Sequence, residues 1–505
     1  MKKCLRGILL WMLCLRLILT AAVPAAYAEE APQKATELGG MLFLKGRTGF
    51  DTPFHLFDRK LDTGTEVNRG ISLTIEFYGG LGSLYFLFGT DVQPYTVTDN
   101  GSGISVTCGE YGFLHEFVDL QQMFGTAPRS ITVDFGENPA SIQELYIYTP
   151  GEVPDFVQKW QLPAENSTDL LLYSTHGDDE QLFFGGILPY YAGELEYQVQ
   201  VAYFTDHRKD DPVRQHEMLN GLWAVGVRNY PVFGNHTDFR VETKEETYEI
   251  LASDGFTKEG MLGFVVEQMR RFKPRVVITH DFAGEYGHPQ HMIYADLVAQ
   301  ALEISHDASA YPELAEQYGL WDVPKAYFHL YEENQIVMDW DQPLERFGGM
   351  TAFEVTKNLG FMQHTSQIYS LIWYYGYSTR ATDIQEYSPC LYGLYRSTVG
   401  EDVQKNDFFE NVPTHTQLAE IAEAQRLEQE QLAEQARLEE QARQEEAERL
   451  AMEQATTSPQ ETEPSPTETV EPEPKNATDV GYWAILALIP AVLLAFAARK
   501  KKNKN

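Results

Sequence analysis

The sequence predicts an α/β layered domain over residues 165–412, with a β-sandwich over residues 36–155 before it. After it come a helical stalk and a single membrane span. Residues up to about 155 alternate apolar and polar side chains in short runs punctuated by Gly, Asn and Asp, the period of half-buried strands. Beyond about 165, near-continuous apolar runs are separated by longer amphipathic stretches, as in buried parallel strands joined by helices. Length agrees, since 505 residues are too many for one ordinary domain.

Residues 1–28 read as a secretory signal. Lys2, Lys3 and Arg6 precede an apolar run broken by Arg16, and Ala26-Tyr27-Ala28 forms a small-x-small cleavage site. Next, residues 71–78, 83–88, 104–108, 131–135 and 144–148 are the candidate strands of the sandwich. The last pair resembles jelly-roll carbohydrate-binding modules of the galactose-binding type, and a spacer without a ligand is the alternative. In the α/β region, strands are predicted at 168–175, 197–205 and 274–279, and helices at 180–192, 211–226 and 288–304.

Residues 417–454 hold eleven Glu and four Arg among Gln, Ala and Leu, without Gly or Pro, which is helix-forming composition. Leu418, Leu427, Leu432, Leu438 and Leu450 keep no heptad register, which favours a single solvated helix over a coiled coil. Residues 456–479, rich in Pro, Glu and Thr, read as a disordered stalk. Residues 480–498 carry no charge and are long enough to span a bilayer. The basic residues 499–505 that follow place that end in the cytoplasm and the globular part outside the cell membrane.

The formal net charge is −35, and both ends of the chain are basic, so the acidity is concentrated between them. Such a surface repels phosphodiester backbones and polyanionic polymers, which excludes nucleic acid as a partner and favours a neutral or cationic substrate. Cys4 and Cys14 lie in the signal, leaving Cys108 and Cys390, too few for a disulfide scaffold or a zinc–thiolate site.

Two stretches carry chemistry. His176-Gly177-Asp178-Asp179-Glu180 ends one buried strand, and Gly284 to His291 (Gly-Glu-Tyr-Gly-His-Pro-Gln-His) follows another. Ligands of open α/β sheets bind beyond the carboxyl ends of strands, so both stretches fall on one edge and can meet. A catalytic zinc needs about three imidazole or carboxylate ligands and one open position. His176, Asp179 and His291 supply them. Asp178 is then an adjacent carboxylate able to take a proton from the activated water. His288 can protonate a leaving amine or stabilise an oxyanion. Each motif alone is more often a solvated loop or a surface histidine pair; together, each after a buried strand, they favour a metal site.

On these motifs, residues 165–305 resemble the PIG-L (LmbE-like) metal-dependent deacetylases, whose signatures are His-Pro-Asp-Asp-Glu and Gly-His-Pro-Asp-His. Residues 363–367 and 392–396 extend the resemblance to about 410. It implies a Rossmann-like sheet, a zinc cofactor and removal of an N-acetyl group from an N-acetylglucosamine-like sugar. It implies His176, Asp179 and His291 as metal ligands, Asp178 as base and His288 as acid or oxyanion group. Tyr286 and Arg214 become substrate-contacting residues. Two positions depart from the pattern: Gly177 stands for proline, and Gln290 for an aspartate expected near His288. The competing reading is a non-catalytic surface protein that binds carbohydrate through the same fold.

Overall fold

The computed structural model describes residues 33–39, 44–46, 53–205 and 212–456. The predicted signal, the stalk beyond Thr456, the span at 480–498 and the basic tail lie outside the described residues. Among the described residues, no helix is long and apolar enough to cross a membrane. The chain divides into two compact units, Met1–Gln425 and Arg426–Asn505.

In the first unit, nine strands form two antiparallel sheets. The strands are β1 (Leu44–Gly46), β2 (Thr65–Val67), β3 (Ser72–Glu76), β4 (Ser83–Phe88) and β5 (Tyr95–Asp99), then β6 (Ser105–Cys108), β7 (His115–Asp119), β8 (Ser130–Asp134) and β9 (Ala140–Tyr148). One sheet has the order β1-β3-β8-β5-β6 and the other β2-β9-β4-β7. Leu73, Ile75, Val97, Ile131 and Val133 of the first share a core with Leu84, Phe86, Ile142 and Ile147 of the second. β3 and β8 alternate because only one face of each is covered. β4 is buried throughout because Tyr85 and Leu87, on its other face, pack with Tyr148 and Val157.

The α/β region holds β10 (Leu170–Ser174), β11 (Val199–Thr205), β12 (Val232–His236) and β13 (Val276–Thr279), followed by β14 (Lys325–His329), β15 (Gln335–Val337) and β16 (Leu391–Ser397). Their order is β12-β11-β10-β13-β14-β16-β15. The first five are mutually parallel, and β16 runs antiparallel to both its neighbours. Two-sided burial explains the apolar runs: Leu170 and Leu172 enter one core, Leu171 and Tyr173 the core on the opposite face. The chain winds outward from β10 through β11 to β12, then returns to β13 on the other side. The crevice between the carboxyl ends of β10 and β13 is therefore the switch point where ligands bind in such sheets.

The helix predicted at 180–192 is not continuous. One turn, Asp179–Leu182, is followed after a break by a π-helical stretch, Pro189–Glu194. Gly186 explains the interruption, with φ +104° and a Cβ position that would overlap the Trp340 ring.

The two-sheet part meets the α/β part through buried contacts. His115 Nε2 and His216 Nδ1 lie 2.7 Å apart, the Leu114 N–H donates to the Tyr230 hydroxyl at 3.0 Å, and Phe113 stacks on Tyr230 at 4.3 Å. Cys108 and Cys390 are buried free thiols.

Residues His415–Thr456 form a helix. From Arg426 to Gln454 every side chain is exposed, including Leu427, Leu432, Leu438 and Leu450. Ion pairs one turn apart, such as Arg437–Glu434 and Arg443–Glu440, support it weakly.

Candidate metal centre

Four strand ends converge on one edge of the sheet. His176 follows β10, Asp238 follows β12, His280 and Glu285 follow β13, and His329 ends β14. A sharp turn completes the set. Gly284, Tyr286 and Gly287 all adopt positive φ, at 65°, 46° and 70°. A side chain at Gly284 would collide with the His288 carbonyl. The left-handed Tyr286 is a strained position of the kind found at functional sites. The turn leaves Glu285 buried, sets Tyr286 against the cavity, and places His288 as the N-cap of the helix Pro289–Ile304.

The three predicted ligands come together. His176 Nδ1, Asp179 Oδ2 and His291 Nε2 are each 3.1 Å from the other two. Donors bound tetrahedrally at about 2.0–2.1 Å from zinc stand roughly 3.3 Å apart, so the triad has the spacing of a single ion's ligands. Each imidazole has its second nitrogen engaged elsewhere. His291 Nδ1 is 2.7 Å from Glu285 Oε2, while His176 Nε2 is 3.2 Å from Gln290 Oε1 and 3.3 Å from Asp238 Oδ1. These acceptors hold the protons on the outer nitrogens and leave His176 Nδ1 and His291 Nε2 as bare donors. The donor set fits a divalent metal such as zinc.

The electrostatics point the same way. Burial disfavours charge on His176, but Asp238 and Asp179 outweigh it and hold its pKa well above the ordinary value. For His291, burial is likewise outweighed, by Asp179 and Glu285, and the pKa rises to about 8. Asp179 resists burial because His291 and His176 hold its carboxyl well below the usual range. Such a field favours positive charge at the triad.

His280 also approaches Asp179, at 3.6 Å, yet both its nitrogens are spent. Its Nε2 accepts the Thr175 N–H at 3.0 Å, and its Nδ1 donates to Glu285 at 2.8 Å. Asp179, His280 and His291 also lie close enough together to share one ion, but the hydrogen bonds of His280 suit a supporting role. His288 lies close to His176 and His291, but its Nδ1 accepts the Gln290 N–H at 3.2 Å. Burial, together with positive charge on those two histidines, pushes its pKa down to about 2. A neutral His288 whose Nδ1 accepts carries its proton on Nε2 and can donate a hydrogen bond from it.

Asp178 stands beside the triad without joining it. Its Oδ2 is 3.4 Å from Arg214 Nη2, and Arg214 Nη1 is 3.3 Å from Asp238 Oδ2. Burial raises the Asp178 pKa against the pull of Arg214, giving a carboxylate more basic than an exposed one. Gln290 does not act where the sequence placed it: its side chain reaches His176 and the Thr237 carbonyl, and only its backbone touches His288. Asp178, Arg214, Asp238, Arg240, Tyr286 and His288 line a cavity of about 400 Å³ that reaches His176 and Asp179 of the triad.

Sequence reasoning missed Glu285, Asp238 and His329. Glu285 accepts from three imidazoles, those of His280 at 2.8 Å, His291 at 2.7 Å and His329 at 2.6 Å. Burial works against its charge, but His280 and these hydrogen bonds hold its pKa far below normal. Its place within the second motif was the available signal.

Parallel strand ends converging on a carboxylate–imidazole triad define this region as an α/β protein domain with a candidate divalent-metal centre. Residues 171–302 match the family model described as PIG-L: GlcNAc-PI de-N-acetylase. Two similar proteins are both called 1D-myo-inositol 2-acetamido-2-deoxy-alpha-D-glucopyranoside deacetylase. The one from Catenulispora acidiphila is 26% identical over 216 residues, 38% of this chain and 65% of that protein. The one from Rhodococcus erythropolis is 40% identical over 196 residues, 33% of this chain and 62% of that protein. The chain thus spans less than two thirds of either. A solved structure, N,N'-diacetylchitobiose deacetylase from Pyrococcus horikoshii, is 14% identical with a TM-score of 0.31, covering 45% of this chain and 83% of that one.

Proposed function

We propose that this protein is a zinc-dependent hydrolase that removes the acetyl group from an N-acetylglucosamine-like sugar. The observation that carries the reading is the triad itself, three donor atoms each 3.1 Å from the others with an unligated carboxylate, Asp178, beside them. A binding protein needs no such base next to a metal centre.

His176, Asp179 and His291 would hold the ion. A bound divalent ion supplies Lewis-acid polarisation of the amide carbonyl and lowers the pKa of water. Asp178 takes the proton as water attacks the amide carbon, and Arg214 holds that carboxylate in place. His288 donates from Nε2 to the oxygen that gains negative charge, aided by the N-terminal end of the helix it caps. The proton on Asp178 then passes to the departing amine. Tyr286, Arg240 and Asp238 line the space where the sugar sits.

In the same reading the two antiparallel sheets form a β-sandwich module, residues 480–498 anchor the chain, and the catalytic part faces the outside of the cell. Acetate release from a panel of N-acetylated glycans, with metal analysis of the purified chain, tests the activity. Bound zinc without release from any glycan would overturn it. Protease treatment of intact cells tests the topology: an ectodomain that stays protected contradicts the outward orientation.

A further inference from the structure

The cavity has two kinds of wall. Its floor is formed by the buried His176 and Asp179 of the triad, whereas its mouth carries Tyr369, Ser370 and Trp373 from the short helix Ile368–Tyr374, with Gln367 just before it. Tyr369 is 65% exposed and Trp373 56% exposed. Aromatic rings of that size are normally hidden, and here their helix neighbours Leu371 and Tyr374 do pack against the core. Exposure of these two residues is therefore no failure of the helix to dock. Trp373 meets Tyr286 edge-to-face at 5.5 Å, and Tyr286 in turn meets His291 edge-to-face at 5.6 Å. One aromatic series thus leads from the metal ligand to the surface.

Resting on the deacetylase reading, we propose that Trp373 and Tyr369 form a stacking platform for sugar units adjoining the one that is deacetylated, so that the substrate is a neutral N-acetylated oligosaccharide. A pyranose is amphipathic: its C–H faces pack on aromatic rings and its hydroxyl edges need hydrogen bonds. The mouth offers both, since Ser370, Gln367, Arg240 and Asp238 line the same cavity as the two rings. A lipid chain would leave those polar groups unpaired at a cost. A polyanion would meet Asp178, Asp179 and Asp238 as well as the two arginines. The acetamide must reach the buried floor, so the neighbouring units are the ones left at the mouth.

Calorimetric titration of the full-length chain carrying Asp178→Asn, which prevents turnover from confusing binding, tests this. The ligands are N-acetylglucosamine, its β-1,4-linked dimer, trimer and tetramer, and its octyl glycoside. Affinity should rise about tenfold from monomer to trimer. Trp373→Ala and Tyr369→Ala should remove most of that gain, and Trp373→Phe should retain it with the ring. Circular dichroism confirms that each variant is folded. Equal affinity for all lengths overturns the platform, as does an equal loss at every length in the alanine variants. An octyl glycoside that gains as much as the trimer shows instead an apolar aglycone site. Acetate release by the wild-type chain is read separately, so length-dependent binding without hydrolysis defeats the deacetylase reading and leaves the platform standing.

Discussion

The first unit buries two histidine clusters of different character. At the sheet edge, His176, His280, His291 and His329 are interleaved with Asp179, Asp238 and Glu285. Where the two-sheet part meets the α/β part, His115 and His216 touch at 2.7 Å, with Tyr85 3.0 Å from His115. Among the described residues, no carboxylate enters this second chain of contacts. Burial, then the charge of His216, lowers the His115 pKa well below normal, and burial lowers that of His216 to about 4. A wholly neutral proton assignment satisfies it, for example with the Tyr85 hydroxyl donating to His115 Nδ1 and His115 Nε2–H donating to His216 Nδ1. Interleaved carboxylates thus mark a site built for a cation, and a carboxylate-free pair marks a neutral joint. Proximity of histidines alone does not separate the two.

Breaking the cation site directly should have the largest effect. Asp179→Asn replaces a charged ligand with a poor neutral donor, so metal content and activity should both collapse. Asp178→Asn should keep near-normal metal while the rate falls by about 10²–10⁴, the worth of a positioned base. Metal analysis and acetate-release rates on both variants check this. Loss of metal in Asp178→Asn with retention in Asp179→Asn would mean that ligand and base are exchanged.

A smaller effect should follow from Glu285→Gln, which touches no ion. The amide keeps one accepting oxygen but turns an N–H₂ toward imidazole N–H groups that need an acceptor. Metal affinity should drop about 10–100-fold, the usual cost of losing such a supporting partner. Competition with a chromogenic chelator measures it. By contrast, His216→Asn should leave metal affinity unchanged, because among the described residues no carboxylate links that pair to the centre. A matching drop there would erase the distinction between the clusters.

Removing the ion should separate them again. A ligand present at about 100 times its Kd adds about 2.7 kcal/mol to stability. Dialysis against a chelator should lower the melting temperature accordingly in the wild-type chain. An equal loss should appear in His216→Asn and almost none in Asp179→Asn.

The candidate cation site was legible in the sequence because its proposed ligands sit in two short stretches, each after a buried strand. His176 and Asp179 are three residues apart, and a parallel sheet brings His291 to them by topology alone. Glu285 was in view but unassigned, since a carboxylate's partners depend on a turn whose positive φ at Tyr286 no local pattern announces. Asp238 and His329 belong to strand ends that carry no motif. The helix predicted at 180–192 failed at Gly186, where a tertiary neighbour, Trp340, decides the backbone. His115 and His216 lie 101 residues apart on different layers, and neither has a signature. Pairings made by docking two layers are set by surface shape, which periodicity does not encode.

The neutral joint should show itself as a pH dependence, the smallest effect here. An unfolded histidine titrates near 6.5, whereas burial brings folded His216 down to about 4. Below about 6.5 the unfolded chain binds a proton that the folded chain refuses, so stability falls with falling pH and levels off below about 4. Between pH 7 and pH 5 the cost is about 2 kcal/mol from this group. In His216→Asn the side-chain oxygen can stand where Nδ1 stood and still accept from His115, but it does not titrate. The variant should therefore lose about 2 kcal/mol less than the wild-type chain over the same interval. Urea midpoints at pH 7 and pH 5, measured with zinc in excess so that the ligands stay occupied, decide it. Identical losses in both proteins would show that His216 already carries charge in the fold, and the contrast between the two clusters would then be wrong.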